Sequence, residues 1–231
     1  MSFDIYAGAF SRFYAREWEN AVQKHARETG MTYHMIRPSD SGPENWDEVK
    51  QVVHRWRLGI KNGLGDNAPP DLDWSEERDS PYFTDRPGWD GYSALVVLAA
   101  STETGRPLPA RLSEDALASD VVTSAVGIES RAQYRSIFGA SLWLPGSFDF
   151  SFDFVDLSNE KIHIGSVRRL EHDLRHLQNA RRISDADLAE RIKGGVEDTG
   201  DTFAMGCFGL AVFLRIAVAA REHRLPMMLS Y

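Results

Sequence analysis

His172 and His176 stand four residues apart in a stretch of helical periodicity. That spacing puts both imidazoles on one helix face and supplies half of a tetrahedral zinc site. His163, a little earlier in the chain, is a candidate third ligand, with Glu171 or Asp173 beside it. The same face carries Arg168, Arg175 and Asn179, and positive neighbours oppose a divalent cation. Arg168, Arg169, Arg175, Arg181 and Arg182, with Lys161, make the most basic stretch of the chain, a composition suited to a phosphate or carboxylate. One reading is thus an enzyme or a small-ligand or metal site built on His163, His172, His176 and these arginines. The other is a solvated polar helix face.

Three further patterns carry less. Gly63-Leu-Gly65-Asp-Asn-Ala68 has the spacing of a dinucleotide fingerprint, but a helix precedes it and Pro69-Pro70 follows it. A pyrophosphate needs a strand before the glycines and a helix N-terminus after them. Cys207 lies between Gly206 and Phe208 in the most apolar segment, away from any acid or base, and reads as a buried, inert thiol. Glu76-Glu77 is a carboxylate pair of the type glycosidases use, in a loop where nothing predicts its burial. No Walker A sequence, nucleophile elbow or His-Glu-x-x-His is present, and no cofactor is expected.

The segment from Asp66 to Asp90 is different in kind. Its eight acids and two bases give a local charge of −6, against −8 for the whole chain of 231 residues. The candidate partner-binding acids are Asp71, Asp73, Glu76, Glu77, Asp79, Asp85 and Asp90. Interleaved with them are Trp74, Tyr82, Phe83 and Trp89, residue types that anchor protein interfaces. Acids steer a basic partner toward a surface while aromatics supply the buried contact. The competing reading is a solvated loop whose aromatics pin it to its own core. Residues 126–231, by contrast, carry 13 bases and 14 acids, so the acidity is local.

The elements that must position these residues follow from periodicity. Phe3, Ile5, Ala7 and Ala9 alternate with polar neighbours and predict a strand. A helix is expected from about Tyr14 to Glu28, with Trp18, Val22 and His25 or Ala26 on one face and Gly30 as its C-terminal cap. Met31 to Arg37 is apolar enough for a short strand. Ser41 to Glu44 fits a capping box, and Trp46, Val49, Val53, Trp56 and Ile60 recur on one helical face until Gly63. Residues 66–90, with prolines at 69, 70, 81 and 87, show neither period and predict a long irregular loop. Helices are expected over 91–102, around 114–119, 129–138 and 167–180, and from Ser184. Phe148, Phe150, Phe152 and Phe154 alternate with polar residues as a strand that pairs with Lys161 to Ile164. Met227 to Tyr231 reads as a last strand. Helices outnumber strands without alternating regularly, which predicts an α+β class: one helix-rich domain over 1–231 with a small, mainly antiparallel sheet.

Composition bounds the function classes. With 42% hydrophobic and 26% charged residues the chain is ordinary globular protein, long enough to bury roughly 70% of its unfolded surface. The acidic excess argues against nucleic acid as the main ligand. One cysteine forms no internal disulfide, and the opening Met1-Ser2-Phe3-Asp4 lacks a basic, apolar-cored leader, so a reducing cytoplasm is the expected compartment. Phe203 to Ala220 approaches the length of a membrane span, but Arg215 within it and flanks of mixed sign predict a buried core helix instead. Gly206 and Gly209 in that helix are expected to mark the close approach of a neighbouring element.

Three passages, MSFDIYAGAF at the start, PGWDGYSALVV at 87–97 and LWLPGSFDFSF at 142–152, resemble bacterial proteins of the immunity type encoded beside polymorphic toxins. The resemblance implies a non-enzymatic protein that neutralises a basic partner by direct binding, through acids that mimic a toxin's nucleic-acid substrate or fill its basic cleft. The expected contact is the loop at 66–90. No motif with assigned residues transfers position by position.

Overall fold

The computed structural model describes residues 3–31, 45–127, 132–194 and 200–231. The strand expected from Met31 to Arg37, the capping box at 41–44 and the start of the helix expected at 129 fall outside them. In chain order the elements are β1 (Asp4–Ala7), α1 (Phe10–Tyr14), α2 (Ala21–Thr29), α3 (Trp46–Leu64), β2 (Phe83–Asp85), α4 (Gly88–Thr104), α5 (Asp120–Val126), α6 (Arg135–Phe138), β3 (Leu142–Leu144), β4 (Phe152–Val155), β5 (Lys161–Ser166), α7 (Val167–Ala180), α8 (Asp185–Gly194), α9 (Thr202–Glu222) and β6 (Met227–Ser230). With 54% helix against 13% strand and a mostly antiparallel sheet, the chain is a helix-rich α+β protein.

Among the described residues the sheet has six strands in the order β2-β1-β6-β3-β5-β4. Only β3 and β5 run parallel; the other neighbours are antiparallel. Both faces are covered. Trp143, Ile5, Ala7, Met227 and Leu229 point into a core shared with α4, α7 and α9. Leu142, Leu144 and Ile164 point the other way, into a core with Phe10 of α1 and Val53, Trp56 and Ile60 of α3. Coverage on both sides explains why every residue of β1 and β3 is buried.

Several local expectations shift. The helix expected over Tyr14–Glu28 is two helices. Arg16 adopts a left-handed backbone between them, and Asn20 and Gln23 form the capping box that starts α2. Trp18 falls outside both and stacks on Phe13 at 5.2 Å. Gly30 is the left-handed cap, as expected, and α3 runs one residue past Gly63 before Gly65 ends it. The loop at 66–90 is not irregular throughout. It contributes the edge strand β2, and α4 begins at Gly88, so Trp89 and Asp90 are helical. A three-residue strand between two prolines is too short to display a period. The alternating phenylalanines form a strand only from Phe152, which pairs with Ile164 of β5.

α9 is long and apolar enough to span a membrane by length and composition, yet two-thirds of its apolar stretch is buried in this fold. It lies against α4, α7, α8 and β1. Arg215, its mid-helix charge, pairs with Asp85 of β2. The expected close approach is present: a Cβ on Gly209 would sit 2.1 Å from the Gly91 carbonyl oxygen, and one on Gly206 would sit 3.1 Å from that of Ala94. Backbone meets backbone there, and no side-chain rotation relieves a clash. Gly209→Ala should therefore cost on the order of 3 kcal/mol or more, the upper end of overpacking penalties. Gly206→Ala should cost less, and urea unfolding midpoints read the order of the two. The reverse order would remove Gly209 as the point of closest approach.

Candidate functional site

Much of the 66–90 segment is spent on its own protein. Glu76 is buried, and its carboxylate accepts the Phe10 and Ser11 N–H groups at 3.2 and 2.7 Å, capping the start of α1. The Trp74 indole N–H and Arg57 Nη2, the latter at 3.3 Å, donate to the same carboxylate. Arg57 also pairs with Asp73 at 2.6 Å and lies 4.0 Å above the Trp74 ring. Trp74 is itself buried. Asp71 accepts the Ser147 N–H and hydroxyl, Glu77 pairs with Lys50 at 2.9 Å, and Asp85 pairs with Arg215. The cations that balance these acids come from α3 and α9, far away in sequence.

The aromatics divide likewise. Tyr82 lies under Arg12 at 4.8 Å, and Phe83 packs on His223 and the main core. Trp89 is 39% exposed, tilted on Phe3 and Tyr231. Asp66, Asp79 and Asp90 are exposed and make no ion pair among the described residues. The eleven candidate residues therefore do not form one surface.

Four of them do meet. Asp73, Trp74, Glu76 and Glu77 form one wall of an open groove of about 790 Å³ whose other wall is the face of α3 bearing Asp47, Lys50, Gln51, His54, Arg55 and Arg57. Carboxylates of Asp47, Asp73 and Glu77 reach solvent, and Arg57 of one wall covers the buried Trp74 ring of the other. The α3 residues were absent from the sequence candidates. Their only signal was that they fill the polar side of a helix whose apolar stripe was plain.

The histidines do not converge. His163 shares a 2.9 Å hydrogen bond with Asp153 on β4, and His176 shares one of 2.9 Å with the Tyr134 hydroxyl. His172 lies beside Arg168 and Arg169. Among the described residues no three His, Cys, Asp or Glu side chains are grouped to hold a metal ion. This corrects the three-histidine site, because helix spacing aligns two residues and cannot bring in a third from a strand whose side chain already has a carboxylate partner. The arginines also disperse: Arg169 pairs with Asp173, Arg175 approaches Asp185, and Arg181 bonds to Thr102, Ser101 and the Leu98 carbonyl at the end of α4. Cys207 is buried, and burial pushes its thiol up to about 11, which keeps it protonated and unreactive near neutrality.

Glu76→Gln keeps the shape but turns an amide N–H₂ toward donors and leaves Arg57 without its buried partner. It should cost about 3 kcal/mol in a denaturant titration. A cost within that of an exposed Glu→Gln change would show that Glu76 does not hold the segment down. Asp71 gives a pH signature. The Ser147 hydrogen bonds, helped by Arg224, hold its carboxyl below the ordinary value of 3.8. A depressed folded-state pKa stabilises above the unfolded value and loses that effect as pH falls through the folded one. The stability gap between wild type and Asp71→Asn should therefore be open at neutral pH and close below pH 3.8. Urea midpoints at several pH values test this, and a gap unchanged at low pH would disprove the charge as its source.

Comparison of the chain with protein-family models, with curated proteins and with solved structures gives no match in any of the three.

Proposed function

We propose that the chain acts by binding rather than turnover, as an inhibitor of immunity type that takes a basic segment of a partner protein into the groove between α3 and residues 73–77. The observation that carries this reading is the set of solvent-facing carboxylates, Asp47, Asp73 and Glu77, along one open groove of about 790 Å³. Lys50 and Arg57 already sit there as internal counter-ions, and Arg55 is a third cation in the lining, against the four acids Asp47, Asp73, Glu76 and Glu77. An incoming Lys or Arg can take the place of Lys50 at low cost, because an exposed pair such as Lys50–Glu77 contributes only about 0–1 kcal/mol. Arg57 is better held, because it also bonds Glu76 and the Trp74 carbonyl and lies over the buried Trp74 ring. The site of action proposed with this reading is the cytoplasm, where a basic toxin would be met before it acts.

The groove replaces the whole acidic loop as the binding element. Asp47→Asn with Glu77→Gln is the test, because both residues are exposed and neither supports the fold. The double variant and the wild type are used as parallel baits in a lysate of the source cells, and the association of the captured basic protein is timed at several salt concentrations. Loss of two steering charges should slow association about tenfold at low salt and much less at high salt. An association rate that is equal for both baits would remove the groove from the account.

A further inference from the structure

β3 and β5, the parallel pair, end at the same edge of the sheet. The chain leaves β3 through Pro145-Gly146-Ser147 and leaves β5 directly into α7. Between these exits lies a notch of about 200 Å³ lined by Asp71, Ser147, Arg168, Arg221 and Arg224. A second depression of about 350 Å³ shares Ser147 and Arg168 with it and adds Phe148, Asp149, Arg169 and His172.

The charges in this notch are out of balance. Arg168 donates to the Ser147 hydroxyl at 3.2 Å and has no carboxylate partner among the described residues. Arg224 donates to the backbone oxygen of Asp71 at 3.1 Å. Arg221 is offset by Glu171 and Glu222. The first turn of α7 contains Arg168 and Arg169 and no acid, so cations stand at the positive end of a helix dipole that favours anions. The conflict is eased by an anion already present. The Asp71 carboxylate takes the Ser147 N–H at 3.0 and 3.1 Å and the Ser147 hydroxyl at 2.7 Å. An internal carboxylate thus sits where backbone amide, hydroxyl and guanidinium groups converge, the donor set that recognises an oxyanion.

We propose that this notch binds a small phosphate-bearing ligand and that Asp71 occupies it when the ligand is absent. Arg168 and Arg224, which pair with no carboxylate among the described residues, supply two guanidinium groups for a dianion, while Glu171 and Glu222 offset Arg221; Phe148, Asp149 and His172 line the space where the ligand's organic part would lie. The Ser147 amide has one hydrogen and cannot serve Asp71 and a phosphate oxygen together, so ligand and Asp71 compete. This inference uses none of the groove residues, and its failure would leave the groove reading intact.

The test is a titration of isotope-labelled protein with inorganic phosphate, phenyl phosphate and benzoate, following the Ser147 amide resonance. Both phosphates should give a saturable shift, with phenyl phosphate the tighter and benzoate the weakest. Asp71→Asn should tighten phosphate binding about tenfold by removing the charged competitor, and Arg168→Gln with Arg224→Gln should weaken it by at least as much. The two arginines are surface residues, so their replacement leaves the fold in place. No saturable shift in wild type or Asp71→Asn, equal affinity in the two, binding indifferent to the arginines, or benzoate binding as tightly as phenyl phosphate would each overturn the proposal.

Discussion

The backbone contact between Gly91 of α4 and Gly209 of α9 fixes the spacing on which the rest of the fold depends. Two helices that meet without intervening side chains form a rigid, closely packed pair. α9 also touches α7, α8, β1, β2 and β6, so its position is passed to every neighbouring layer. Its C-terminus decides where the chain re-enters the sheet, with β6 between β1 and β3. The last turn of α9 and the left-handed residue just past its cap set down Arg221 and Arg224 beside the first turn of α7. A packing constraint at one end of the helix thus places charge at the other.

The acidity of residues 66–90 has a meaning that a count of charges does not reveal. Taken as a segment it is strongly negative, but in space Lys50, Arg57 and Arg215 stand against it. Glu76 shows the cost of treating acids as equivalent. A carboxylate buried among two backbone N–H groups, an indole N–H and a guanidinium is structural, because its desolvation is tolerable only with all of those donors present. Its neighbour Glu77 is in solvent and free to exchange partners. One residue separates a fold determinant from a surface charge.

What the sequence made legible was whatever depends on local periodicity. The stripe Val167, Leu170, Leu174, Leu177 gave α7 its true limits, Gly30 its cap, and Gly206 and Gly209 their close neighbour. What stayed hidden depends on contacts distant in the chain. Phe148 and Phe150 have the alternation of a strand, yet the pairing of β4 with β5 stops at Phe152. The groove joins residues of α3 to residues of the following loop, and the notch joins residue 71 to residues 147, 168, 221 and 224. Neither grouping leaves a trace in spacing. Helical spacing of His172 and His176 did leave one, and it misled, since a shared face is only a precondition for a shared ligand.

The segment from Asp71 to Glu77 borders both surfaces, Asp71 facing the notch and residues 73–77 forming a wall of the groove. Its two anchors differ in strength for a physical reason. Glu76 is held in a low-dielectric interior by four donors, and breaking such a set leaves buried charge uncompensated. Asp71 is held near solvent by Ser147, where water and salt compete for the same groups. The segment is therefore fixed at Glu76 and exchangeable at Asp71, and an anion that displaces Asp71 acts on the end that can yield. The groove wall nearest Glu76 would keep its geometry while the backbone on the far side of Asp73 moved. Two surfaces of opposite charge can in this way share one short segment without sharing an energetic fate.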